Sequence, residues 1–112
     1  MTERIPGKIK IYKSKTVQVG TSDTTVYEVT SGRKFYLEGL VLTETGSSAA
    51  TVDIFDGPSA NDVRPIAPVI VDATSTKTIS ESVLKGAVPF ENSVVMKSSS
   101  GTTWVTVIGY EE

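Results

Sequence analysis

The stretch FYLEGLVLTE, residues 35–44, decides the architecture. Its apolar side chains recur at every second position, which is the period of a strand and not of a helix. Phe35 and Leu37 hold one parity, then Leu40 and Leu42 take the other. The break falls at Glu38-Gly39, where one extra residue in a β-bulge would return all four to a single face. Without that bulge, Phe35, Leu37 and Val41 oppose Tyr36, Leu40 and Leu42, and both faces are apolar. Either way this is a long strand that has to be covered by a second layer.

Working outward, SGRK (31–34) is a turn whose Gly32 can adopt positive φ without steric cost. Before it, residues 24–30 alternate Val26 and Glu28 with Tyr27 and Val29, behind the turn GTSD (20–23). KIKIYK (8–13) has Ile9 and Ile11 on one face and Lys8, Lys10 and Tyr12 on the other, a charged pattern suited to a sheet edge. Residues 16–19 continue it after a kink. Downstream of the loop 45–48, residues 50–56 form a strand with Val52 and Ile54 inward and Phe55 facing outward or into a neighbour.

GPSANDVRP (57–65) is irregular, and residues 66–71 form a strand that Pro68 restricts to an edge or a bulge. Residues 78–84 read as a strand, LKGA (84–87) as a turn and 88–90 as a short strand. Residues 94–97 then pair with 103–110 as a hairpin across SSSGT. No window carries helical periodicity, so no helix longer than one turn is expected. Eight or nine short strands at this spacing predict an all-β fold of two antiparallel sheets. A jelly-roll sandwich is the first choice, an immunoglobulin-like sandwich the second.

With 112 residues the chain suits one domain, here 16–112, preceded by a basic arm or edge strand over 1–15. That arm holds Arg4, Lys8, Lys10, Lys13 and Lys15 against Glu3, a balance of +4 in a chain of net charge −2, and so leaves −6 for the remainder. A solvated terminus or an arm docking on an acidic surface both fit. Nucleic-acid binding does not, because the acidic body would repel phosphate. The apolar runs are too short to span a bilayer, so no membrane partner is expected, and MTERIPGKIKIYK has no secretory h-region.

The chain has no histidine and no cysteine. This removes imidazole acid–base chemistry, thiolate nucleophiles, disulfides and the usual metal ligands, and predicts a non-enzyme without cofactors. Asp53, Asp56 and Asp62, with Asn61 and Gly57, have the residue types of a calcium loop but not the spacing of an EF-hand. A strand-ending turn with side-chain-to-backbone bonds is the preferred reading of them. Trp104 is the single tryptophan. Val105, Val107 and Gly109 share one face of the last strand, and Trp104, Thr106 and Ile108 share the other. The two apolar faces here, at residues 35–42 and at Val94 and Val95, predict a homo-oligomer, expected to be a trimer.

VTSGRKFYLEGLVLTETGSSAATVDIFDG (29–57), closed by SSSGTTWVTVIGYEE (98–112), resembles small proteins encoded among tailed-phage and prophage structural genes. Gly32-Arg33-Lys34, the strand ending at Asp56-Gly57, and Ser100-Gly101 through Glu111 carry the resemblance, over about three-quarters of the chain. It implies a jelly-roll virion component: a capsid decoration (cement) protein, or a small head- or tail-associated piece. Such a protein is made in the host cytoplasm, sits on the capsid surface, and partners itself and the major capsid protein or another virion protein. On this reading Ile5, Lys8, Ile9, Lys10, Ile11 and Lys13 attach it to the capsid, by adding a strand or by running along an acidic surface. The rival is a carbohydrate-binding or receptor-recognition module using Trp104, Tyr36 or Tyr110 as a stacking platform.

Overall fold

The computed structural model describes residues 9–112. Among these, nine strands and one helical turn follow in the order β1 (Ile11–Val19), β2 (Thr24–Glu28), β3 (Phe35–Glu44), β4 (Ala50–Asp56), β5 (Ile66–Val71), β6 (Ser75–Ile79), α1 (Glu81–Leu84), β7 (Val88–Phe90), β8 (Ser93–Ser98) and β9 (Thr103–Glu111). All pairings are antiparallel. One sheet runs β1-β9-β3-β6, with β7 also on β3, and the other runs β2-β8-β4-β5. The chain passes repeatedly from one sheet to the other, and its first and last strands lie side by side. This is the double Greek-key winding of a jelly roll, the first choice from the sequence.

β3 lies at the centre of the five-stranded sheet, as its sequence demands. Its register against β9 shifts between Leu37 and Gly39, the site of the expected bulge. Phe35, Leu37, Leu40 and Leu42 are consequently all fully buried. They meet Val52, Ile54, Val94 and Met96 of the opposite sheet in one core. Upstream, the Arg33 amide donates to the Thr30 carbonyl at 3.0 Å, and Gly32 closes that turn with φ +82°.

Three expectations need correction. β8 and β9 do not form a hairpin: β8 is flanked by β2 and β4, β9 by β1 and β3. The loop between them crosses from sheet to sheet, because both strands are central and each already has two hydrogen-bonded neighbours. Residues 78–84 are not one strand either. β6 begins earlier, at Ser75, and ends at Ile79. Ser80 then sits in an extended N-cap conformation, Glu81 opens α1, and Lys85 ends it in the left-handed region. Finally, β1 has no kink, since its nine residues pair with β9 in unbroken register from Ile11↔Glu111 to Val19↔Thr103.

Candidate interaction surface

Directly opposed residues in an antiparallel pair share a face, so the registers define the outer surface of the five-stranded sheet. β1 contributes Tyr12, Ser14, Thr16 and Gln18, and β9 contributes Trp104, Thr106, Ile108 and Tyr110. β3 adds Tyr36, Gly39, Val41 and Thr43, while β6 adds Thr76 and Thr78. None of these side chains is charged. The inner side of the same strands carries Val105, Val107 and Gly109, as their alternation in the sequence requires.

Aromatic residues partition cleanly between this surface and the interior. Phe35, Phe55 and Phe90 are buried. Tyr27 stacks on Phe35 at 4.4 Å between ring centroids. The other four, Tyr12, Tyr36, Trp104 and Tyr110, all belong to the outer face. Tyr12 is 66% exposed, Trp104 43% and Ile108 42%. Three tyrosines form a row across the strands, with Tyr110 5.7 Å from Tyr12 and 5.2 Å from Tyr36. Their planes are tilted by 58° and 33°, so the row is corrugated and not a flat stacking platform. Trp104 lies six residues along β9 from Tyr110, about 20 Å away. Threonines knit the rest: Thr16 to Thr106 at 2.8 Å and Thr43 to Thr76 at 2.9 Å between hydroxyl oxygens.

Charge gathers at one end of the face. The Lys10 ammonium lies 4.6 Å from the centroid of the Tyr110 ring. Burial raises the Tyr110 pKa, Lys10 opposes this, and Glu112 and Glu38 add to it. Of the attachment residues expected from the sequence, Ile5 and Lys8 lie outside the described residues. Ile9 is exposed. Ile11 begins β1 opposite Glu111, and Lys13 stands opposite Gly109 on the inward parity. From there the charge of Lys13 helps to hold the Glu111 carboxyl below its ordinary pKa. Tyr12 was the part of the face hidden in the sequence: its parity with Lys8 and Lys10 was visible, its pairing with Tyr110 was not.

The outward apolar pair at the centre of the four-stranded sheet is closed by the chain itself. Phe55 and Val95 oppose each other on the four-stranded sheet and are almost fully buried. The Arg64 guanidinium covers Phe55 at 4.7 Å from the ring centroid, brought there by the loop 57–65. Val95 thus gives no argument for a partner; Val63, Ile70 and Val83 are exposed singly, whereas Tyr12, Trp104 and Ile108 are exposed together on the outer face of the five-stranded sheet.

The acidic loop is a structural turn. The two oxygens of Asp56 accept the Glu91 and Asn92 amides, each at 3.0 Å. Asn61 donates to the Asp56 and Ser59 carbonyls and accepts from the Val63 amide. Asp53 points from mid-strand, opposite Lys97. Among the described residues no group of three or more acidic side chains is placed to hold a metal ion.

Two further carboxylates are buried on the inward side of the five-stranded sheet. Glu44 accepts the Gly46 amide at 2.7 Å, the Thr103 hydroxyl at 2.6 Å, and hydroxyls of Thr102 and Ser100. Burial alone would raise its pKa, but these donors outweigh that and lower it. Glu111 accepts the Tyr27 hydroxyl at 2.6 Å and the Thr30 amide at 2.9 Å, with the same outcome. Both are saturated by donors from their own chain and have the character of structural plugs.

No protein-family model and no curated protein matches the sequence. Solved structures do resemble the fold. A protein of Bacillus endospore appendages, described as a novel family of disulfide-linked pili, aligns at TM-score 0.50 and 12% identity, over 98% of this chain and 96% of that one. The coat protein of Tobacco streak virus aligns at TM-score 0.40 and 12% identity, over 96% and 90%. At such identity the first likeness concerns the fold alone.

Proposed function

We propose that the chain is a non-enzymatic structural protein that acts by self-association, as a decoration (cement) protein on a tailed-phage or prophage capsid. The observation that carries this reading is the collection of every non-core aromatic on one sheet face whose in-register side chains are uncharged, beside the strand into which the basic segment leads. A face of this kind is a surface for another protein. The basic segment 1–15 supplies attachment to an acidic virion protein, the major capsid protein first. β1 takes up residues from Ile11 onward, so attachment is assigned to segment 1–10, and Lys13 contributes less than Lys8 or Lys10. The endospore appendage protein with a similar fold belongs to a family of pili by description, which is consistent with this role. The disulfide links ascribed to the pili are not open to this cysteine-free chain.

Light scattering at several concentrations is the direct test. A stable oligomer is expected, and one built on a trimer has a mass that is a multiple of three copies. A strict monomer whose tryptophan emission responds to glycans would replace this reading with the carbohydrate-binding one. Attachment is tested separately by deleting residues 1–10, which leaves β1 whole. Co-sedimentation with capsids should be lost while the circular dichroism spectrum and self-association persist.

A further inference from the structure

We infer that the outer face of the five-stranded sheet is a contact between two copies of this chain, packed sheet against sheet about a two-fold axis. This rests on the self-association proposed above and names the surface and symmetry that carry it.

Three observations choose a second copy as the occupant. First, extent: three strands of nine or ten residues and one of five make up the face. At about 3.3 Å per residue and about 4.8 Å between strands, its footprint is on the order of 500 Å² before side-chain relief is counted. Two copies would bury about 1,000–1,200 Å², the threshold for a specific protein–protein contact. Second, charge: the chain is net acidic, so most of its surface repels a copy of itself, but the side chains in register across this face carry none. Third, chemistry: Trp104 and Ile108 share one strand face and are both more than two-fifths exposed, and Tyr12 is exposed at the Tyr110 end of the same face. Tryptophan at one end of the face and a tyrosine row at the other, with Ile108 and threonine hydroxyls between them, match the enrichment of aromatic residues in interfaces.

Sugar recognition is disfavoured by the tilts within the tyrosine row and by the distance from that row to Trp104. Flat stacking of a saccharide needs rings that share a plane. A self-complementary face pairs two copies, because residue i of one meets residue j of the other and the converse. If the chain also trimerises through other surfaces, this contact would join two trimers, and the particle would contain six.

Ile108→Glu places a charge at the middle of the face without touching the core, and Trp104→Ala removes its largest anchor. For the unaltered protein we expect an even number of copies by light scattering. Its tryptophan emission should shift to longer wavelength on dilution. Ile108→Glu should halve the particle mass, and Trp104→Ala should weaken association at least tenfold. Both should keep the circular dichroism spectrum of the parent, which separates lost contact from lost fold. An oligomer whose mass ignores Ile108→Glu would overturn the assigned face and leave self-association standing. A parent protein that is monomeric at every concentration would overturn both, as would a monomer whose Trp104 emission responds to a soluble glucan.

Discussion

Gly109 lies on the inward side of β9, where an added Cβ would sit 2.2 Å from the Tyr36 carbonyl oxygen and 2.8 Å from the end of the Phe35 ring. The neighbour that forbids a side chain is thus backbone, which cannot rotate away. Gly109→Ala should therefore destabilise the fold by about 3 kcal/mol, at the upper end of overpacking costs, and a denaturant titration measures it. An unchanged midpoint would mean that β3 and β9 can separate at this end without loss. The alternation Val105-Val107-Gly109 was readable in the sequence and gave the correct face. The reason for glycine was not, because Tyr36 and Phe35 are more than seventy positions away. Asp56 repeats the lesson: its residue type suggested a ligand or a turn, and only the position of the Glu91 and Asn92 amides decides for the turn.

At the scale of elements, β3 shows what local pattern can settle. Its parity break at Gly39 specified a bulge, and the register shift between Leu37 and Gly39 is that bulge. Deleting Gly39 would remove the extra residue and turn either Phe35 and Leu37 or Leu40 and Leu42 to the outside. Any of these four exposed in pairs forfeits about 3–6 kcal/mol of apolar burial, comparable to the stability of a small domain. The deletion variant should accumulate as insoluble or unfolded protein, seen as loss of the β-sheet circular dichroism signal. Folding with near-parent stability would show that the bulge is dispensable. Pattern failed where the question was which strand pairs with which. Residues 94–97 and 103–110 are both strands, and the Gly-containing link suggested a hairpin. In the jelly roll each is instead sandwiched between strands remote in sequence. Residues 78–84 failed for a subtler reason: a single helical turn is too short for its period to show, and what marks it is Ser80 at the N-cap position, without a side-chain capping bond, and the left-handed Lys85-Gly86 end.

The two buried carboxylates act on the molecule as a whole, because Glu44 and Glu111 sit at opposite ends of the β3–β9 pair and plug the two open ends of the sandwich. Neither was legible as such: Tyr27, which holds Glu111, is 84 positions away, and Thr103, which holds Glu44, is 59 away. The exposed aromatic face was half legible, since Trp104, Tyr36 and Tyr110 stood out singly but their assembly depends on strand order. Both plugs have folded-state pKa values below the ordinary 4.5 of glutamate. Above about pH 4.5 the carboxylates are ionised in folded and unfolded chains alike, and their hydrogen bonds contribute in full. As the pH falls below 4.5 the unfolded chain takes up protons first, so stability declines until the folded-state values are passed. Tyr27 has the opposite sense: burial, then its bond to the Glu111 carboxylate, raises its pKa, so its contribution is intact below pH 10 and fades above it. Urea midpoints should therefore be level between about pH 5 and 9 and fall on both sides. Glu44→Gln keeps the shape but turns an amide toward donors. It should cost about 1.5–3 kcal/mol at pH 7, as expected for bonds to an ionised group, and should flatten the acid limb. An acid limb as steep as the parent's in that variant would place the proton uptake elsewhere, at Glu111 or among the exposed carboxylates.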